Sequence, residues 1–147
     1  MPYCNIGSIE AYCASRKFSF EIISQASQLE AFDALVLPGV GVFGNAMDYL
    51  HCNHFDKKLF ELYSANYHDA PTLIGICLGM QLLFDSSEES CGVSGLSLIN
   101  GHCVKFPDSI EFQIPHLGWN TIHNFRNSAI TLPDMYFVHS YHCIPED

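Results

Sequence analysis

Positive charge is scarce in this sequence. Six Lys and Arg stand against sixteen Asp and Glu in 147 residues, a formal net charge of −10. No basic face can follow a phosphate backbone, so nucleic-acid binding is not an expected role. Long apolar runs are missing too. Ala34-Leu35-Val36-Leu37 and Thr72-Leu73-Ile74-Gly75-Ile76 fall far short of the ~18 residues of a membrane helix. The opening Met1-Pro2-Tyr3-Cys4-Asn5 has neither the basic region nor the apolar stretch of a signal peptide, and a cytoplasmic location is expected. There is no C-x-x-C pair. The seven cysteines, at 4, 13, 52, 77, 91, 103 and 143, form an odd set and are read as reduced thiols, not as a disulfide framework or a zinc ribbon. Internal repeats, linkers and charge runs are also lacking.

What is present is core-forming. Apolar residues are 48% and charged residues 15%, which at this length predicts one folded domain. Ile9, Tyr12 and Cys13 make an i, i+3, i+4 stripe that predicts a helix over 7–17 opened near Ser8. Phe18 to Ile23 begins as an alternating strand. Ala34–Leu37, stopped by Pro38-Gly39, and Thr72–Ile76 read as strands buried on both faces. Helical spacings cover Phe43–Leu50, Phe55–Tyr67 and Leu78–Phe84. Beyond Glu88, short strands are expected at Leu96–Ile99, His102–Phe106, Trp119–His123 and Met135–His139. The fold class is therefore α/β: a three-layer, mostly parallel sheet with helices on both faces, and an added, partly antiparallel strand layer.

Gly75-Ile76-Cys77-Leu78-Gly79 is the most informative stretch. A nucleophile flanked by glycines two residues away, after a buried strand, has the form of a nucleophile elbow, whose glycines permit a sharp, crowded turn. The helix after Cys77 would turn its N-terminus to the sulfur and favour the thiolate. With Gly at about 7% of residues, a given Cys carries both glycines by chance about 0.5% of the time, so a nucleophile is favoured over a plain core cysteine. Pro38-Gly39-Val40-Gly41 ends the other buried strand. Ligands bind at the carboxyl ends of parallel strands, so backbone N–H groups near Val40 and Gly41, with that of Leu78, could form an oxyanion hole. Taken alone, that second turn is an ordinary strand-to-helix connection.

Leu37-Pro38-Gly39-Val40-Gly41-Val42-Phe43-Gly44-Asn45-Ala46-Met47 and Gly75-Ile76-Cys77-Leu78-Gly79-Met80-Gln81-Leu82-Leu83-Phe84 resemble the class I, triad-type glutamine amidotransferases, whose fold is flavodoxin-like. Ser87-Glu88-Glu89, Gly95-Leu96, Pro115-His116-Leu117-Gly118-Trp119-Asn120 and Tyr136-Phe137-Val138-His139-Ser140-Tyr141 are similar to the glutaminase subunits of imidazole glycerol phosphate synthases within that family. The resemblance implies that Cys77 attacks the glutamine side-chain amide, and that Leu78, Val40 and Gly41 supply oxyanion donors. It implies that Gly39, Gly79, Gln81, Glu89, Ser140 and Tyr141 hold the substrate. The ammonia would pass to a cyclase partner with a (β/α)8 barrel, with Pro115, His116, Trp119 and Asn120 near that interface. Trp119, the only tryptophan, reads equally as an interface anchor or a core residue.

No cofactor or metal is called for. His51-Cys52-Asn53-His54 and His139-x-x-His142 have spacings that suit a metal, but no carboxylate set stands beside either. The family's catalytic His-x-Glu segment lies downstream of the strand that ends here, and its first strand precedes Met1. His142-Cys143-Ile144-Pro145-Glu146 only superficially resembles that signature and reads as a turn. The expectation is a single domain over 1–147, incomplete at both ends, inactive and marginally stable by itself. Rival readings are a paralogous subunit supplying ammonia for amino-sugar or surface-polysaccharide synthesis, a non-catalytic binding module, and a redox or chaperone-like cysteine protein.

Overall fold

The computed structural model describes residues 4–65, 70–108, 113–121 and 134–146. Two compact units arise, one of Met1–Val104 with Cys143–Asp147 and one of Lys105–His142. In the first, helix α1 (Ile6–Ser15) and a 3-10 turn (Ala26–Ala31) precede strand β1 (Ala34–Leu37). Helices α2 (Phe43–Cys52) and α3 (Phe55–Ala65) follow, then β2 (Thr72–Gly75), the single-turn helix α4 (Leu78–Gln81) and the short strand β3 (Ser86–Ser87). β4 (Gly101–Lys105) and β7 (Tyr141–Pro145) cross the boundary between the units, and β5 (His116–Asn120) and β6 (Met135–His139) lie within the second. β7 corrects the reading of His142–Glu146 as a turn, because its backbone pairs with β4.

β1 and β2 pair in parallel with Ala34 opposite Thr72 and Leu37 opposite Gly75, and Ile76 N–H extends the ladder to Leu37 O at 3.0 Å. Side chains alternate along a strand. Leu35, Leu37 and Leu73 face the core, while Val36, Ile74 and Ile76 are 42, 45 and 43% exposed. The expectation of burial on both faces is therefore corrected: among the described residues one face of this pair is covered.

The core is built by periodicity. Phe43, Ala46, Met47 and Leu50 recur at i, i+3, i+4 and i+7 on α2 and are all buried, the stripe that an amphipathic helix presents. Phe55 and Leu59 of α3 join Leu78, Leu82, Leu83 and Leu96 in the same cluster. Phe43 and Leu82 are fully buried, and each such side chain contributes about 1.5–3 kcal/mol.

Several sequence expectations shift. Phe18–Ile23 is not a strand: Phe18, Phe20 and Ile22 stay exposed, and no strand of the described residues pairs with their backbone. Leu96–Ile99 is not a strand either, because its amides are spent elsewhere. Leu96 N–H reaches Leu82 O, Ser97 N–H reaches Phe84 O, and Leu98 and Ile99 N–H both reach Leu83 O. These bonds satisfy carbonyls just past α4, which stops at Gln81 instead of running to Phe84. β5 begins at His116, ahead of the expected Trp119, and the end of that segment, like residues 66 and 67 of the third expected helix, lies outside the described residues.

Candidate active site

Cys77 occupies the junction of β2 and α4 with φ +54° and ψ −115°. L-residues rarely adopt this backbone conformation, and holding it costs of order 1–3 kcal/mol. Its thiol is exposed. The turn closes through Gly79 N–H to Ile76 O and Met80 N–H to Cys77 O, each 3.0 Å. Leu78, the first residue of the helix, has an amide with no intrahelical acceptor.

Three glycines make this turn fit. A Cβ on Gly75 would lie 2.6 Å from Met80 Cα, and one on Gly79 would lie 1.8 Å from Leu37 O. A Cβ on Gly39 would meet the Gly79 amide nitrogen at 2.5 Å and Leu78 Cβ at 2.8 Å. The turns after β1 and β2 are thus packed backbone to backbone, which brings Gly39, Leu78 and Gly79 together beside Cys77. Gly41 has φ +115° with open space around it, and among the described residues the amides of Val40 and Gly41 make no backbone hydrogen bond. Such free donors beside a nucleophile can hold a developing oxyanion. Cys4 joins this neighbourhood, its thiol donating to Pro38 O at 3.6 Å.

Glu89 reaches the start of α2, just past the first of these turns. Its Oε2 accepts Phe43 N–H at 2.7 Å, and Ser90 Oγ accepts Gly44 N–H at 2.9 Å. Helix α2 has Val42 at its N-cap and no local side-chain cap, so a segment 46 residues away satisfies its first amides and complements its dipole. Sequence reasoning missed Ser90; the poor cap at Val42 was the one signal available. Gln81 is buried, and its carbonyl lies 3.7 Å from Cys103 Sγ.

Ser140, Tyr141, Pro115, His116, Trp119 and Asn120 all belong to the second unit. β5 and β6 are antiparallel, with His116 opposite His139, Leu117 opposite Val138 and Trp119 opposite Tyr136. Alternation separates the candidates. Trp119 shares a face with Leu117, Tyr136 and Val138, and it is 70% exposed. His116 lies on the other face, stacked on Phe137 at 5.0 Å. Hydrogen bonds there run in one direction: His139 Nδ1–H donates to Tyr141 O at 2.8 Å, which leaves its Nε2 to accept from His116 Nδ1–H at 3.1 Å. His116 Nε2 in turn accepts from Asn120 Nδ2 at 2.5 Å. Ser140 O accepts Phe106 N–H at 2.9 Å.

The sequence model of a family described as glutamine amidotransferase class-I matches residues 5–146. The chain belongs to this family. Among curated relatives of the amidotransferase, the imidazole glycerol phosphate synthase subunit HisH of Listeria monocytogenes serotype 4a is 39% identical over 86% of this chain and 62% of its own length. The HisH subunit of Helicobacter hepaticus is 42% identical over 83% of this chain and 58% of its own length. The chloroplastic imidazole glycerol phosphate synthase hisHF of Arabidopsis thaliana is 41% identical over 97% of this chain and 24% of its own length. The chain thus spans about six tenths of the length of the HisH relatives it matches.

The histidine-rich stretch between α2 and α3 has a local structural use. His51 Nδ1 pairs with Asp56 Oδ2 at 2.8 Å, Asn53 Nδ2 donates to Tyr49 O at 2.8 Å, and His54 takes a left-handed φ of +61°. These contacts end one helix and start the next.

Proposed function

We propose that this chain is the glutaminase part of an imidazole glycerol phosphate synthase, hydrolysing glutamine to glutamate and ammonia. The observation that carries the reading is the strained, exposed Cys77, locked by Gly39, Gly75 and Gly79 at the ends of two parallel strands. Relatives named as the HisH subunit of imidazole glycerol phosphate synthase support the reading. Cys77 Sγ attacks the side-chain amide carbon. The resulting oxyanion is held by Leu78 N–H and by the amides of Val40 and Gly41. Collapse expels ammonia and leaves a glutamyl thioester, which water hydrolyses to glutamate. Gly39, Gly79, Gln81 and Glu89 of the first unit are the residues assigned to the substrate's amino-acid end. The family's proton-carrying histidine comes from a His-x-Glu segment, a pattern not found among these 147 residues.

The same reading makes residues 1–147 part of one amidotransferase domain, supported by a single family match over 5–146. It makes that domain three-layered, supported by the apolar outer face of Val36, Ile74 and Ile76, which a second helical layer would cover. The partner is a cyclase with a (β/α)8 barrel in the cytoplasm. Its docking surface is drawn from Pro115, His116, Trp119 and Asn120; the outward apolar face of β5 supports Trp119, while His116 and Asn120 lie on the opposite face of the strand. Among the described residues no helix is long and apolar enough to cross a membrane.

A diazo-ketone analogue of glutamine tests the site, because labelling needs only the nucleophile and its cradle. One adduct per chain is expected on Cys77, slowed by glutamine and absent in Cys77→Ala. A folded chain that takes up no label, or takes it equally on Cys52 and Cys91, would overturn the assignment.

A further inference from the structure

β4 and β7 are neighbours in a sheet of order β3-β4-β7. Two backbone bonds fix how they meet. Glu146 N–H donates to Asn100 O at 3.0 Å, and Phe106 N–H donates to Ser140 O at 2.9 Å. Residue numbers rise by six on one strand as they fall by six on the other, so the strands are antiparallel. Three steps inward from Asn100 and Glu146 set Cys103 opposite Cys143. Hydrogen-bonded and non-hydrogen-bonded pairs alternate along such a ladder. An odd number of steps from a hydrogen-bonded pair therefore places the two cysteines at a non-hydrogen-bonded position. Facing Cα atoms there lie about 4.5 Å apart, inside the range a disulfide spans.

The side chains agree with the ladder. The two sulfurs are 3.1 Å apart, the only cysteine sulfurs in contact among the described residues. Cys103 is fully buried and Cys143 half-buried. The hydrogen bond to Cys143, together with burial, pushes the Cys103 thiol up, and the same bond holds Cys143 below the ordinary thiol range. The thiol held low thus belongs to the less buried residue of the pair.

We propose that Cys103 and Cys143 form a redox-active dithiol that a hydroperoxide converts reversibly to a cross-strand disulfide. The Cys143 thiolate attacks the O–O bond and takes one oxygen as a sulfenic acid, while the other oxygen leaves as an alcohol, or as water from hydrogen peroxide. The Cys103 thiol then attacks the Cys143 sulfur; the S–S bond forms and the hydroxyl departs with the Cys103 proton as water. Two thiols lose two electrons and the peroxide gains them. Oxidation also removes the one Cys103 S–H, which Cys143 Sγ at 3.1 Å and Gln81 O at 3.7 Å share as acceptors. The modification itself is independent of the glutaminase reading.

The test is a thiol map of the whole chain after graded hydrogen peroxide, with free thiols alkylated under denaturing conditions and peptides identified by mass. The expected product is a Cys103–Cys143 cross-linked pair, two hydrogens lighter than the dithiol and restored by dithiothreitol. In Cys103→Ser, dimedone should trap a sulfenic acid at Cys143. The wild-type map decides the matter even if that variant fails to fold. Recovery of both cysteines fully alkylated at a peroxide dose that has consumed Cys77, or linkage of either to a different cysteine, would overturn the proposal.

Discussion

The turns around Cys77 and the β5–β6 pair use the same chain in opposite ways. At the elbow, backbones touch: a Cβ on Gly79 would lie 1.8 Å from Leu37 O. In β5, Gly118 has φ +147° but nothing within 4 Å of where its Cβ would stand. The first region excludes side chains so that amides and one thiol can converge. The second pushes Leu117, Trp119, Tyr136 and Val138 outward to 54–70% exposure. Reacting groups need positions fixed by packing, whereas a recognition surface needs area. The proposed function assigns one solution to each region.

The largest way to break this contrast is Gly79→Ala. With backbone on the other side of the clash, nothing flexible can yield, and a loss of about 3–5 kcal/mol is expected, read as a lowered urea midpoint. Gly118→Ala meets open space and carries only the strain of a left-handed backbone, about 1–2 kcal/mol. Equal losses at the two glycines would remove the distinction. Next is Cys77→Gly. Relief of the positive φ at Cys77 should make this variant more stable by about 1–2 kcal/mol while it loses all labelling by the glutamine analogue. A variant less stable than wild type would mean that no strain is held at the elbow.

The elbow was legible in the sequence because glycine spacing is local: Gly75, Cys77 and Gly79 sit within five residues, and the strand before them carries its own apolar signature. β6 was legible to the residue for the same reason. What could not be read are bonds set by the tertiary path. Leu96–Ile99 has a strand's composition, yet its amides go to Leu82, Leu83 and Phe84, a choice made only once α4 has ended. Phe18–Ile23 alternates like a strand but lacks a pairing partner among the described residues. The cap on α2 comes from Glu89 and Ser90, and no window of local sequence contains both ends of that contact.

That cap gives the third prediction. Glu89→Ala removes the acceptor for Phe43 N–H and the negative charge at the helix N-terminus, for an expected loss of about 1 kcal/mol. Glu89→Gln keeps an acceptor oxygen and should lose about half as much. If both variants unfold at the wild-type urea midpoint, the Glu89 cap adds nothing to the stability of α2.

A smaller effect lies in acid. Hydrogen bonds from Gly101 N–H and the Ser97 hydroxyl hold the Asp85 carboxyl below its usual range, with Gly101 N–H at 2.8 Å from Oδ2. A depressed folded-state pKa adds stability above the unfolded value of about 3.9, and that stability is lost as pH falls through the folded value. Asp85→Asn should therefore flatten the acid limb of a stability-against-pH curve while leaving its shape above pH 5 unchanged. A wild-type acid limb preserved in the variant would show that other carboxylates set it.

The smallest expected change in stability is at Leu117. Its side chain is 61% exposed and opposes Val138 across the antiparallel pair, so Leu117→Ser should cost no more than about 0.5 kcal/mol. Its consequence for docking is of another order. Fully burying a Leu side chain is worth about 1.5–3 kcal/mol, so the same substitution should weaken binding to the proposed barrel partner by about tenfold, or 1.4 kcal/mol. Calorimetric titration of wild type and Leu117→Ser with that partner reads the difference directly. Unchanged affinity with unchanged stability would leave the outward apolar face without a role in docking, and would shift the interface to the His116 and Asn120 side of the same strand.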